Sequence, residues 1–497
     1  MYSRSWSRPG AAGVGRPGFV AEFAGWDDEQ FEAAARIEAE LAGIDLVRLV
    51  FCDPHGLARS KTLTSETFRA ALRNGMDFSP GPFLFDTGHA VAVDFLGDPA
   101  LGVAEIAGAG DFVVVPDPRT FQVLPRDGAR TAWVLGDEFQ RDGRRHPLSC
   151  RDVLRRVCDR YAGQRLTPVI GLEVEWYLTR RLPGPVGNAG NGFGTQGAAP
   201  TVAAMNSGYQ FNSDSAYDSV ASVTDPLALR LLELGLPLRS MEHESGPGQV
   251  ETTFNPLTAL DAADAMLLFR TQVKQACART GHHASFMAVP PIDGVDPSGW
   301  HLHQSAVHTP SGRNVFAGAD VGPDGDDLSA NGKAYVDGLL ARARQYCLLS
   351  VPTVNGHRRL DPAFSLSPTR ISWAFEDRGA MVRVLGGGAS THVENRTGEP
   401  TANPYLAIAA QLSAGLDGLL GTAPGGDRVG TLPASLPESL AEFTAGPAAD
   451  LLGAPLAACL ALLKRSEADR FLAWCERERP PAGRITEWER REYFEHY

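Results

Sequence analysis

Four short stretches of the 497-residue chain place acidic or imidazole side chains two positions apart. The run Gly171-Leu172-Glu173-Val174-Glu175-Trp176-Tyr177-Leu178 reads as a strand, which turns both carboxylates to one face and Val174 to the other. Like charges side by side repel unless a cation lies between them. Taken alone, such a pair also suits a solvent-facing edge strand. In Glu242-His243-Glu244-Ser245-Gly246-Pro247-Gly248-Gln249-Val250-Glu251, Glu244 and Glu251 flank a Gly-Pro-Gly turn. Two neighbouring strands could bring those carboxylates to one place, and a polar hairpin tip is the plainer alternative. Ser298-Gly299-Trp300-His301-Leu302-His303-Gln304-Ser305 sets His301 and His303 on one strand face. Thr391-His392-Val393-Glu394-Asn395-Arg396 repeats the spacing with Glu394 and Arg396.

Lining one cavity, Glu173, Glu175, Glu244, Glu251, Glu394 and His301 would suit hard divalent cations, which take oxygen ligands. The imidazole makes Mn²⁺ as suitable as Mg²⁺, and so many ligands imply more than one ion. Arginines supply the opposite charge in Asn355-Gly356-His357-Arg358-Arg359-Leu360 and in Glu376-Asp377-Arg378-Gly379-Ala380-Met381-Val382-Arg383. Guanidinium forks grip carboxylates and phosphates bidentately and stabilise the charge of phosphoryl transfer. Each arginine singly also fits a surface ion pair. No HExxH helix and no phosphate-binding GxxxxGK[ST] loop occurs, which excludes a zinc-protease motif and a P-loop nucleotide site.

The elements that must position these groups read as α+β. A flexible tail is expected over 1–24, rich in Gly, Pro, Ser and Arg. A helix over 28–41, a strand over 45–52 closed by Asp53-Pro54-His55-Gly56, and a strand over 111–116 belong to a small domain spanning 25–140. A helix over 149–161 opens a larger domain, 147–497, with a strand over 168–178. Helices follow over 225–234, 257–280, 404–420 and 451–464, and 183–200 reads as a Gly/Asn/Pro-rich surface insertion. The net charge of -13 makes nucleic acid and anionic membranes poor partners. Without a membrane-length apolar run or an apolar core in the first twenty residues, a soluble cytoplasmic protein is expected. Seven cysteines with no CxxC pair fit reduced thiols.

In order, the segments GLEVEWYL, EHESGPGQVE, SGWHLHQS, NGHRRL, EDRGAMVR and VENRTGEPTANPYL resemble the glutamine synthetase family, type I-like, over nearly the whole chain. The resemblance implies a small β-grasp domain before a catalytic domain built on a curved antiparallel sheet. It implies one metal held by Glu175, Glu244 and Glu251 and another held by Glu173, His301 and Glu394. Arg359 and Arg396 would grip the carboxylates of glutamate. His303, Ser305 and Arg383 would contact ATP, and Arg378 would steady the transferred phosphoryl. Asp53 would reach the site of the adjacent subunit and help bind the amine. The resemblance further implies a homo-oligomer in double rings, usually a dodecamer.

Three departures bear on the substrate. Ser365 stands where the family places a flap glutamate that deprotonates ammonium. Asp296-Pro297 replaces an Asn-Gly that helps hold the amino-acid substrate, and His392 replaces a nucleotide-side arginine. The expected activity is therefore ATP-dependent joining of glutamate to an organic amine, as a γ-glutamyl-amide synthetase. Plain glutamine synthetase is the nearest alternative. A catalytically silent assembly and a phosphagen-type kinase are alternatives of other classes. The presence of all six candidate ligands argues against the silent form, since buried like charges are costly without cations.

Overall fold

The computed structural model describes residues 18–97, 99, 101–125, 128–184, 192–318, 328–362, 367–425, 429–481 and 483–497. Contacts divide the chain into two compact units: 1–50, 60–78 and 111–146 form one, and 51–59, 79–110 and 147–497 form the other.

In the smaller unit, helix α1 (Asp28–Glu40) begins at a capping box. Asp27 accepts from the Gln30 amide at 2.9 Å and Gln30 answers at 3.2 Å, satisfying two of the free amides of the first turn. Strands β1 (Leu46–Cys52) and β2 (Ala58–Thr64), helix α2 (Ser65–Asn74), and strands β3 (Met76–Phe78), β4 (Phe112–Pro116), β5 (Gln122–Val123) and β6 (Thr131–Phe139) complete it. The sheet order is β2-β1-β6-β4-β3, with β5 on β6 and β1 parallel to β6. The tail expected over 1–24 is corrected from residue 20 onward. Val20–Ala24 is helical, and Val20 and Ala24 are buried with Val113, Val115 and Phe139. Residues 51–59 and 79–110, expected in the small domain, group with the larger unit. Asn403 Nδ2 donates to the Asp53 carbonyl at 2.9 Å and Arg270 Nη2 to the Gly56 carbonyl at 2.7 Å.

From residue 147 onward the larger unit carries α3 (Cys150–Gly163) and the sixteen-residue β7 (Leu166–Arg181). Then come β8 (Val202–Ala204), α4 (Asp214–Glu233), β9 (Leu238–His243), β10 (Gln249–Phe254), β11 (Leu257–Thr258), α5 (Ala259–Arg279), β12 (His282–Ser285), β13 (Trp300–His308), β14 (Arg313–Asn314), β15 (Trp373–Phe375), β16 (Val382–Leu385), β17 (His392–Gly398), α6 (Pro404–Leu419) and α7 (Ala454–Glu478). An eleven-stranded sheet runs β15-β16-β17-β13-β7-β10-β9, antiparallel except between β15 and β16. β7 is its hub. One face of β7 buries Ile170, Leu172, Val174 and Trp176, and Trp176 meets Phe286, which meets Phe269 of α5. The glutamates therefore occupy the other face. Helix α6 is buried almost all round, as an interior helix must be when it is apolar on every side. A Cβ on Gly338, in the helix Ala330–Arg342, would stand 2.1 Å from the Ala414 carbonyl, so glycine there lets two backbones touch.

Three helix expectations are corrected. The helix expected over 225–234 starts at Asp214, where Ser213 caps it, and it continues through Pro226 because Val220, Val223, Leu227 and Leu231 keep one buried stripe. That over 257–280 starts at Ala259, since Leu257 and Thr258 pair with Ile170 and Val169 as a strand. That over 451–464 is two helices, Ala448–Leu452 and α7, parted at Gly453 with φ +86°. Part of the expected insertion, 185–191, lies outside the described residues. No helix among the described residues is long and apolar enough to cross a membrane.

Candidate active site

Strand register assembles the site in rows, because on neighbouring strands directly paired residues share a face. Glu175 of β7 pairs with Glu251 of β10, which pairs with Glu242 of β9. One row along, Glu173 pairs with Thr253 on one side and His301 of β13 on the other. In the next row His303 stands between Gly171 and Glu394 of β17, and Glu394 pairs with Arg383 of β16.

Side-chain distances tighten the picture. His301 Nδ1 is 2.6 Å from Glu173 Oε1 and 3.5 Å from Glu394 Oε1, while its Nε2 is 3.8 Å from Glu175 Oε1. His303 Nε2 lies 3.0 Å from Glu173 Oε2. Two groups bring their ligand atoms within 4.8 Å of one another: Glu173, His301 and Glu394, and Glu175, Glu251 and His301. The first is the set expected from the sequence. The second has His301 where Glu244 was expected, and Glu244 Oε2 instead accepts from the Ser245 amide at 3.3 Å.

The electrostatics show what the face lacks. Burial, reinforced by the nearby Glu244 and Glu173 charges and opposed by Arg359, pushes Glu175 up to about 8. Burial raises Glu244 to about 7, and burial with the charges of Glu173, Glu175 and Glu244 pushes Glu251 up as well. Burial would also raise Glu173, but the charges and hydrogen bonds of His301 and His303 reverse this and hold it below the usual carboxylate range. Burial lowers His301 despite the pull of Glu173, which favours the neutral ring that a metal ligand needs. Crowded oxygen donors that resist carrying charge together, with one imidazole among them, fit divalent cations.

The arginines line the same face. Arg359, 4% exposed, donates to the Thr397 carbonyl at 3.1 Å and to the Arg396 carbonyl at 2.9 Å. Its Nη2 is 3.4 Å from His301 Nε2. A Cβ on residue 299 would stand 2.4 Å from that Nη2, so Gly299 makes room for the fork. Burial lowers Arg359 to about 10, which leaves it charged at neutral pH. Arg396 is ion-paired to Glu394 and donates to the Arg378 carbonyl. Arg383 pairs with Glu376 and, at 3.4 Å, with Glu394. The Nε atoms of both Arg359 and Arg383 are buried without a hydrogen-bond partner among the described residues.

The remaining sequence-derived residues are more scattered. Ser305 follows His301 and His303 on the same face of β13. Asp296 is anchored through its backbone to Tyr177 Oη; burial raises its carboxyl, while a hydrogen bond from Ser245 and the Arg359 charge work the other way. Arg378 is exposed. Asp53 is not brought to this cluster: it is wholly buried, its carboxylate held by the His55 and Leu57 amides and by Arg59 at 2.6 Å. Ser365 lies outside the described residues. Sequence reasoning passed over Glu242, although it precedes Glu244 by two. It also passed over Gln249, whose Nε2 donates to Glu175 Oε2 at 3.0 Å and to Ser298 Oγ at 3.1 Å.

Residues 147–493 match the glutamine synthetase catalytic domain. The chain is 37% identical over 490 residues to a γ-glutamylanilide synthase of an Acinetobacter species, covering 94% of this chain and 97% of that protein. It is 29% identical to a glutamine synthetase of Halobacterium salinarum, with the same coverage. Apo GmaS without ligand superimposes with a TM-score of 0.70 at 27% identity, covering 92% of this chain and 98% of that one. The carboxylate-lined antiparallel sheet and these matches place the chain in the glutamine synthetase family.

Proposed function

We propose that this protein joins glutamate to an organic amine as a γ-glutamyl amide, with ATP as co-substrate. The observation that carries the ligase reading is a single face bearing Glu173, Glu175, Glu251, Glu394 and His301 beside arginines with unpartnered buried Nε atoms. The choice of an organic amine rests on Ser365, and the likeness to a γ-glutamylanilide synthase supports it. An aryl amine is a weak base that is uncharged near neutral pH, so its nitrogen needs no flap carboxylate to take a proton before attack. Alkylamines and ammonium do.

Glu173, His301 and Glu394 would hold one Mg²⁺ or Mn²⁺ ion, and Glu175 and Glu251, with Glu244 alongside, a second. The ions supply charge neutralisation for phosphoryl transfer. Arg359 and Arg396 orient the carboxylates of glutamate beside Asp296, and the free Nε of Arg359 has a donor to spare. His303, Ser305 and Arg383 hold the nucleotide, and Arg378 stabilises the transferred phosphoryl. The side-chain carboxyl of glutamate takes the γ-phosphoryl of ATP to give an acyl phosphate and ADP. The amine nitrogen then attacks that carbonyl, and phosphate leaves. Asp53 is assigned to the amine in a neighbouring subunit of a ring-shaped homo-oligomer, which requires its pair with Arg59 to open.

The test is phosphate release from ATP with glutamate, Mn²⁺ or Mg²⁺ and a panel of aryl amines, alkylamines and ammonium, with products identified by mass spectrometry. A γ-glutamyl adduct of an organic amine in excess of glutamine is expected. Glutamine as the main product would return the chain to the ordinary synthetases.

A further inference from the structure

His392 occupies the first position of β17, two before Glu394 and on the same face. Its ring lies beside that of His303, centroids 5.2 Å apart, and its Nε2 is 3.1 Å from His303 Nδ1. The other nitrogen, Nδ1, is 2.7 Å from the Ser390 carbonyl. A carbonyl only accepts, so His392 Nδ1 carries a hydrogen; the Glu173 carboxylate also only accepts, so His303 Nε2 donates to it, and the hydrogen between His303 Nδ1 and His392 Nε2 joins the two rings. That leaves one orientation for His303, with Nε2 turned to Glu173 Oε2 at 3.0 Å.

The far end of this chain is itself built. Asn314 of β14, 8% exposed, donates from Nδ2 to the Thr391 carbonyl at 2.7 Å and to the Ala389 carbonyl at 3.0 Å. Those two carbonyls flank the Ser390 carbonyl that holds His392. A buried amide therefore fixes a loop, the loop fixes one imidazole, that imidazole fixes a second, and the second meets a site carboxylate. An arginine at position 392 would carry its own charge to a phosphate. A histidine in this geometry has both nitrogens engaged and offers neither.

We propose that His392 is a positioning residue that sets the ring orientation of His303, and that it serves nucleotide binding only through His303. This rests on the nucleotide-using reading above. Outer groups that orient an imidazole change affinity or activity by about ten- to a hundredfold when removed.

The experiment measures binding of ATP with Mn²⁺ to the full-length protein by calorimetry, without glutamate or amine, for wild type, His392→Gln and His392→Leu. The Gln amide can hydrogen-bond where Nε2 does, whereas Leu fills the space with no polar atom. We expect His392→Leu to weaken ATP binding about tenfold, His392→Gln to recover most of it, and the apparent KM for glutamate to stay put in both. Equal loss in the two variants, unchanged binding in His392→Leu, or a matching rise in the KM for glutamate would overturn the proposal. ATP binding is read even if no amide product is found, so failure of the ligase reading and failure of the relay are separable.

Discussion

Glu173 receives two imidazoles from one neighbouring strand: His301 Nδ1 at 2.6 Å on one oxygen and His303 Nε2 at 3.0 Å on the other. The pairing register sets Glu173 directly across from His301, and the period of two sets His303 beside it on the same face. One carboxylate thus meets both rings, one on each oxygen.

Replacing Glu173 by Gln keeps the shape and removes the charge that both rings face. Mn²⁺ affinity, read by electron paramagnetic resonance of the free ion, should fall at least tenfold. The thermal midpoint of the metal-free protein should fall modestly, because the charge that His301 and His303 favour has gone. Unchanged Mn²⁺ binding with a large drop in stability would mark Glu173 as structural only.

Gly299→Ala places a methyl group 2.4 Å from Arg359 Nη2 and 2.9 Å from His301 Nε2. The guanidinium must shift, at an overpacking cost of about 1–3 kcal/mol. The KM for glutamate should rise well ahead of the KM for ATP in steady-state kinetics. Equal rises would move Arg359 away from the amino-acid substrate.

Metal removal should give the protein a pH-dependent weakness. Glu175 and Glu244 have folded pKa values of about 8 and about 7, above their unfolded values. A raised carboxylate stabilises fully below its unfolded pKa and loses that stability as pH rises through the folded value. Chelated protein should therefore melt progressively lower from about pH 5 to pH 8.5. Saturating Mn²⁺ should flatten the trend, since the ion needs the carboxylates deprotonated and so stabilises more as pH rises, by about 2.7 kcal/mol at a hundredfold excess over Kd. Parallel melting curves with and without metal would contradict this assignment of the carboxylates.

Ser365→Glu restores a carboxylate where the family places one. Glutamine formation from ammonium should rise relative to γ-glutamyl amide formation, measured by competing the two amines in one reaction. A ratio that does not move would leave amine choice to other residues.

Much of the site was legible because strands advertise themselves locally. Glu173 and Glu175, His301 and His303, and Glu394 and Arg396 each share a face by the period of two alone. The chain's own residue order, read as a resemblance, carried the family. Which face pairs with which was not local. Ile170, Leu172, Val174 and Trp176 had to be buried before Glu173 could be set across from His301. That register then brought His301 in beside Glu175 and Glu251, added Glu242 to their row, and joined His392 to His303. The amino-acid sequence by itself determined the kinds of ligand, their spacing and the arginines near them. The tertiary structure decided which of them meet, because hydrogen-bond register and burial act between segments that are far apart along the chain.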